Sequence, residues 1–169
     1  MTLTPKLPVV FAVALAAAGC GGGPPPPVVT PPPVTIVAPD DAPNKAPMTL
    51  TASADSNPDE AGVPKPVVVR VYQLRATDRF LAAEYEALFD DNDEKVLDRD
   101  MISRNEYVLD PSERQVIEVA VARETLFVGV AAGIRNFRNA KWREVVPAPK
   151  SGLTIAVGRN QVTVVAASK

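Results

Sequence analysis

The sequence predicts a mainly β fold: an antiparallel β-sandwich of about seven or eight strands with one short inserted helix. Three observations carry this. From Met48 onward the chain offers a series of short runs rich in Val, Ile, Leu, Thr and Tyr, which suit a pleated, half-buried surface. In most of these runs the apolar positions recur every second residue, the period of a strand with one buried face. One stretch alone leaves that period and takes the 3.6-residue spacing of a helix.

The elements follow in order. Met48–Ala54 alternates, with Met48, Leu50 and Ala52 on one face and Thr49, Thr51 and Ser53 on the other. Val67–Leu74 is β-branched and aromatic, with Val67, Val69 and Val71 inward and Arg70 outward. Arg79–Phe89 places Leu81, Tyr85 and Leu88 on one helical stripe, and Thr77 or Asp78 can cap its start. Gln115–Val121 sets Ile117, Val119 and Val121 on one face. Leu126–Ile134 is nearly all apolar, as a central strand should be. Leu153–Val157 and Gln161–Ala166 flank Gly158-Arg159-Asn160 and read as a terminal hairpin. Weaker strand signals lie at Met101–Leu109 and Trp142–Val146. Residues 48–169 suit one core, leave little room for a second, and show no internal repeat.

The chain before Met48 is of another kind. Lys6 precedes an apolar run, Leu7–Ala18, which has the length of a signal h-region and is too short to span a bilayer. Ala17-Ala18-Gly19 then leads into Cys20, the only cysteine. Small residues before a cysteine resemble the lipobox of bacterial lipoproteins, in which the signal is cut before the cysteine and the thiol carries a lipid. Ala17 stands where that motif prefers Leu. Residues 1–19 are therefore expected to be a signal peptide and Cys20 a lipidation site. Gly21 follows, not the aspartate that commonly retains lipoproteins at the inner membrane. The prolines of Pro24–Pro27 and Pro31–Pro33 favour extended polyproline II. Residues 20–47 read as a lipidated cysteine and tether, whose 27 residues after Cys20 reach on the order of 80 Å when extended.

Composition excludes several functions. Loss of residues 1–19 removes Lys6 and leaves 17 basic against 20 acidic side chains, a net charge near −3 that offers nucleic acid no basic face. One cysteine forms no intrachain disulfide. The chain has no histidine, which removes the commonest general base and metal ligand and rules out a Ser-His-Asp or Cys-His site. The acidic run Asp90–Glu94 matches no calcium-loop register, because Lys95 or Val96 falls where the turn glycine belongs, and it reads as a solvated loop. Asp55/Asp59 and Glu84/Glu86 read as surface charge, the latter two being off one another's helical face. No serine has an elbow motif. Trp142, the only tryptophan, reads as a core anchor rather than a binding hot spot. No catalytic residue, metal site, cofactor or small-molecule substrate is expected.

Asp55–Pro66 is the most unusual connection. It is rich in turn formers and longer than a hairpin requires, so it is either a functional loop or a tolerated excursion. The block from Asn57 to Leu74, ending Val69-Arg70-Val71-Tyr72-Gln73-Leu74, resembles the start of the TssJ domain, the outer-membrane lipoprotein family of the type VI secretion system. Phe80–Leu88, Val128–Ala132 and Trp142-Arg143 follow in that family's order, across about residues 48–167. The resemblance implies a transthyretin-like β-sandwich with an added helix, lipid-anchored in the outer membrane and facing the periplasm. It implies binding to the C-terminal periplasmic domain of TssM, an inner-membrane protein, partly through the loop between the first two strands. The candidate partner-binding residues are Asp55, Ser56, Asn57, Pro58, Asp59, Glu60 and Gly62. The alternative is a periplasmic lipoprotein that binds or inhibits a soluble ligand or enzyme.

Overall fold

The computed structural model describes residues 44–90 and 92–167; the expected signal segment, Cys20 and most of the tether lie outside the described residues. Eight strands follow one another: β1 (Asn44–Ala52), β2 (Val67–Leu74), β3 (Met101–Leu109), β4 (Arg114–Val121), β5 (Phe127–Ala132), β6 (Arg143–Pro147), β7 (Gly152–Val157) and β8 (Val162–Ala167). They form two four-stranded sheets, in the orders β4-β1-β7-β8 and β3-β2-β5-β6. Every strand expected from the alternation is present, including the two weak ones. Pairing is antiparallel except between β1 and β7, which run parallel. β1 begins at Asn44, before the alternation at Met48 shows itself. Residues 44–47 pair with β4 alone, and β7 joins only from Met48. Pro47 therefore stands where one flank of the strand has no β7 partner to require its missing N–H.

The two sheets bury one core between them. Met48 and Leu50 of β1, Val67 and Val69 of β2, Val130 of β5, Ile155 of β7 and Val162 of β8 are all essentially inaccessible. The second sheet is also covered on its outer face. This explains why β2 and β5 read as almost continuous apolar runs. Tyr72, Leu74 and Ala131 point to that outer side and meet Phe80, Ala83, Leu88 and Leu97 of the helical insertion.

The insertion comprises three short helices, α1 (Asp78–Ala82), α2 (Tyr85–Phe89) and α3 (Asp93–Leu97), followed by a 3-10 turn at Asp98–Asp100. Ala83 and Glu84 adopt extended backbone (ψ 140° and 158°) between the first two. That break rotates the second helix relative to the first and corrects the expected stripe. Phe80 is buried in place of Leu81, which is 48 % exposed. Phe80 packs on Tyr72, ring centroids 5.4 Å apart. Its seat needs Gly129 of β5, because a Cβ there would lie 2.9–3.0 Å from Leu74 and the Phe80 ring.

Polar groups hold the same layer. Arg70 points away from the sandwich core, as alternation predicts, yet it is buried, because the helices cover it. Its Nε donates to Glu106 Oε2 (2.7 Å) and its Nη1 to the carbonyls of Leu88 (2.9 Å) and Asp90 (3.1 Å). Asp93 is wholly buried, which corrects the reading of the acidic run as a solvated loop. Arg104 Nη1 donates to its Oδ1 at 2.6 Å, and Arg70 lies 3.6 Å from its Oδ2. The Tyr72 hydroxyl reaches both Asp93 Oδ2 (2.9 Å) and Leu88 O (2.8 Å). Burial, then the Asp93 carboxylate, push the Tyr72 phenol well above its usual range. Trp142 is half-buried and touches both cores, in keeping with an anchor. The Arg143 guanidinium lies 4.6 Å from its ring and donates to the carbonyls of Phe80 (3.0 Å) and Ala83, tying the end of α1 to β6.

Phe80→Ala should therefore destabilise the fold by about 3–5 kcal/mol, whereas Leu81→Ala should stay within about 0.5 kcal/mol. Urea unfolding of both variants checks this, and equal effects would refute the broken-helix register.

Candidate functional site

Topology brings several connections to one end of the sandwich. β1 and β7 run parallel, so Ala52 and Val157 finish together. β2 starts at that end after residues 53–66. β5, antiparallel to β2, finishes there, with Ala132 opposite Val69. Residues 53–66, 133–142 and 158–161 therefore meet. Backbone hydrogen bonds link the outer two to their neighbours: Ser53 N–H to Val157 O (2.9 Å) and Lys141 N–H to Asn160 O (3.0 Å). The Arg135 N–H donates to Asn57 Oδ1 (2.8 Å) and joins the first connection to the second.

The first connection has no regular secondary structure but is folded on itself. Asn57 has φ 47°, a left-handed conformation that Asn tolerates better than most residues. Its Nδ2 donates to Pro66 O at 2.7 Å, closing the loop at its base while Oδ1 holds Arg135. Asp59 makes a second clasp. Its Oδ1 accepts from the N–H groups of Ala61 (3.0 Å) and Val63 (2.9 Å), and its Oδ2 lies 3.1 Å from Lys65 Nζ. The Val63 N–H, and after it Lys65, hold the Asp59 carboxyl below the usual carboxylate range. Gly62, at φ +80°, supplies the reversal inside that clasp.

The three connections enclose an open cavity of about 760 Å³. Pro58–Ala61 line it from the first, Arg135 and Asn136 from the second, and Arg159 and Asn160 from the third. Of the residues singled out in the sequence, Pro58, Asp59 and Glu60 reach this cavity. Asp55 and Gly62 are exposed elsewhere on the loop, Asp55 accepting from the Ser53 hydroxyl at 2.7 Å. Ser56 and Asn57 face inward and are buried, so they shape the loop and offer no surface. The Ser56 hydroxyl has no hydrogen-bond partner among the described residues.

The opposite wall carries Arg135 and Asn136, which no sequence pattern singled out, and Arg159 and Asn160, which the sequence marked as the terminal-hairpin loop but not among the candidate binding residues. Arg135-Asn136 and Arg159-Asn160 are both Arg–Asn pairs just beyond a strand end, a signal visible only once the strands are placed. Both arginines are exposed and make no ion pair among the described residues. Aromatic packing lies beside the second connection: Tyr85 of α2 stacks on Phe137 at 4.0 Å, meets Trp142 edge-on at 5.2 Å and donates to Ile134 O at 3.2 Å. No group of His, Cys, Asp or Glu among the described residues is arranged to hold a metal ion.

A family model described as type VI secretion lipoprotein, VasD, EvfM, TssJ, VC_A0113 matches residues 44–168. Among solved structures, the T6SS lipoprotein TssJ1 from Pseudomonas aeruginosa is 31 % identical over 75 % of this chain and 98 % of its own, with a TM-score of 0.69. A chain of the structure described as the T6SS protein TssM C-terminal domain from EAEC is 28 % identical over 72 % of this chain and 97 % of its own, TM-score 0.61. A chain of a structure described as the type VI membrane complex is 29 % identical over 72 % and 97 %, TM-score 0.64. No curated protein sequence matches the chain.

Asn57→Ala should cost about 2–4 kcal/mol, because it strands Pro66 O and the Arg135 N–H and puts a Cβ-bearing residue without a polar side chain at positive φ. Asn57→Gly should cost less, since only the hydrogen bonds are lost. Thermal melts of the two variants separate the contributions, and identical melts would show that the backbone conformation contributes nothing.

Proposed function

The chain belongs to the type VI secretion lipoprotein family, and from that membership we propose that it is an assembly protein, lipid-anchored through Cys20 in the outer membrane, that binds the C-terminal periplasmic domain of a TssM-like inner-membrane protein. Docking is assigned to the loop Asp55–Pro66. The observation that carries this is the loop itself: a long connection, clasped by Asn57 and Asp59, that presents Pro58, Asp59 and Glu60 at one end of a rigid sandwich. A loop ordered in advance loses less conformational entropy on binding than a flexible one. The likeness to a chain of the structure described as a TssM C-terminal domain supports the choice of partner. The action is binding and positioning, not catalysis.

The anchor reading rests on the lone cysteine behind an apolar run. One acyl chain holds a protein only marginally, while several chains, at about 0.8 kcal/mol per buried CH₂, hold it firmly. The proline-rich tether then lets the sandwich stand off the membrane.

Two experiments test this. Cells making Cys20→Ser should lose the protein from the outer-membrane fraction; retention there would exclude the anchor. Replacing residues 55–66 by a short Gly-Ser turn should abolish calorimetric binding of the full-length protein to the partner's periplasmic domain. Unchanged affinity, with a normal melt, would move the docking site elsewhere.

A further inference from the structure

We propose that the cavity between the three connections receives a carboxylate side chain of the partner, held by Arg135 and Arg159. This rests on the reading that this end of the sandwich docks that partner, and it adds the chemistry by which the partner is recognised.

The argument is one of which charges are already engaged. Four charged residues line the cavity: Asp59, Glu60, Arg135 and Arg159. Asp59 is consumed internally by two backbone N–H groups and Lys65. Glu60 is exposed on the loop side. The two arginines face the same space without an ion pair among the described residues. The cavity thus has two unengaged cations against one anion, in a chain whose formal net charge is −2. An acidic loop invites the opposite expectation, that the partner brings a cation to Asp59 and Glu60. The structure places the unengaged charge across from the loop and reverses its sign.

Geometry favours a carboxylate. A guanidinium offers a planar fork of N–H donors that matches two carboxylate oxygens. Each arginine is followed by an asparagine on the cavity wall, which adds amide donors. Both arginines stand on fixed backbone. The Arg135 N–H is held by Asn57, and the Arg159 turn is closed by the Gly158 N–H donating to Gln161 O (2.8 Å) and by the Lys141 N–H donating to Asn160 O (3.0 Å). Asn57 therefore couples the two walls: the side chain that closes the loop also positions an arginine opposite it.

The test uses the full-length protein in detergent and the partner's C-terminal periplasmic domain, with association and dissociation followed at low and high salt. Arg135→Glu combined with Arg159→Glu should weaken Kd roughly tenfold or more, mainly through a slower on-rate, and flatten the salt dependence. Arg135→Lys with Arg159→Lys, which keeps the charge and loses the fork, should keep the on-rate and its salt dependence but weaken Kd about threefold or more through a faster off-rate. Glu60→Gln should cost less than the double Glu variant, because Glu60 belongs to the loop rim and not to the seat of the carboxylate. Unchanged Kd in the double Glu variant, while the loop replacement abolishes binding, would overturn the carboxylate site and leave loop docking standing. If neither change weakens binding, both fall. A larger loss from Glu60→Gln than from the double Glu variant would mean that the cavity reads a cation and would also overturn the proposal. So would loss, in the double Glu variant, of adhesion to phosphatidylglycerol vesicles with partner affinity intact, because the arginines would then face lipid.

Discussion

A wholly buried carboxylate, Asp93, is the point on which the outer layer of this protein depends. An isolated charge in that position would be untenable, and removal of one partner from a buried pair costs several kcal/mol because the other is left uncompensated. Asp93 is tolerable because Arg104 and Arg70 approach its two oxygens and Tyr72 adds a hydroxyl. These three side chains stand on β2 and β3, while Asp93 begins α3. The ion cluster therefore fixes where the helical layer meets the sheet. The short helices need such a fixture: each has five residues, too few to persist alone. With them seated, β2 becomes a strand buried on both faces, and its unbroken apolar character finds its cause.

The same economy governs the loop end. A long connection without regular structure normally costs entropy to order. Here two side chains with several acceptors and donors do the ordering. Asn57 serves Pro66 and Arg135, and Asp59 serves Ala61, Val63 and Lys65. The acidic and amide residues of the loop are thus largely spent on its own shape. What remains for another molecule is the rim they hold up and the two arginines across from it.

Much of the sandwich was legible in the sequence because period-two alternation survives wherever one face is buried and a near-continuous apolar run marks β2 and β5, which are covered on both; all eight strands left one trace or the other. The start of β1 did not, since Asn44-Lys45 are exposed and Pro47 mimics a break. The helical insertion was visible as a change of period, but its internal register was not. Ala83 and Glu84 carry no strong breaker, and the turn between α1 and α2 is imposed by the seat that Phe80 finds over Gly129. Asp93 was unreadable for a similar reason: a carboxylate in a run of acids looks solvated until the arginines of distant strands are placed around it. The loop Asp55–Pro66 stood out by length and turn residues. The cations opposite it come from two other connections about seventy residues or more further on: Arg135 is brought near by β5 running back along β2, and Arg159 by a parallel strand pair that no local pattern announces.

That parallel pair also settles how the fold carries a load. β1 enters at Asn44 and leaves at Ala52 beside the loop end, flanked by β4 over Asn44–Thr51 and by β7 over Met48–Ala52. A pull between its start and the loop end runs along the strand axis. The hydrogen bonds to both neighbours are then strained together in shear, not broken one at a time as when a hairpin is peeled apart. Along the β1 axis the sandwich therefore resists extension more than it would across the strands.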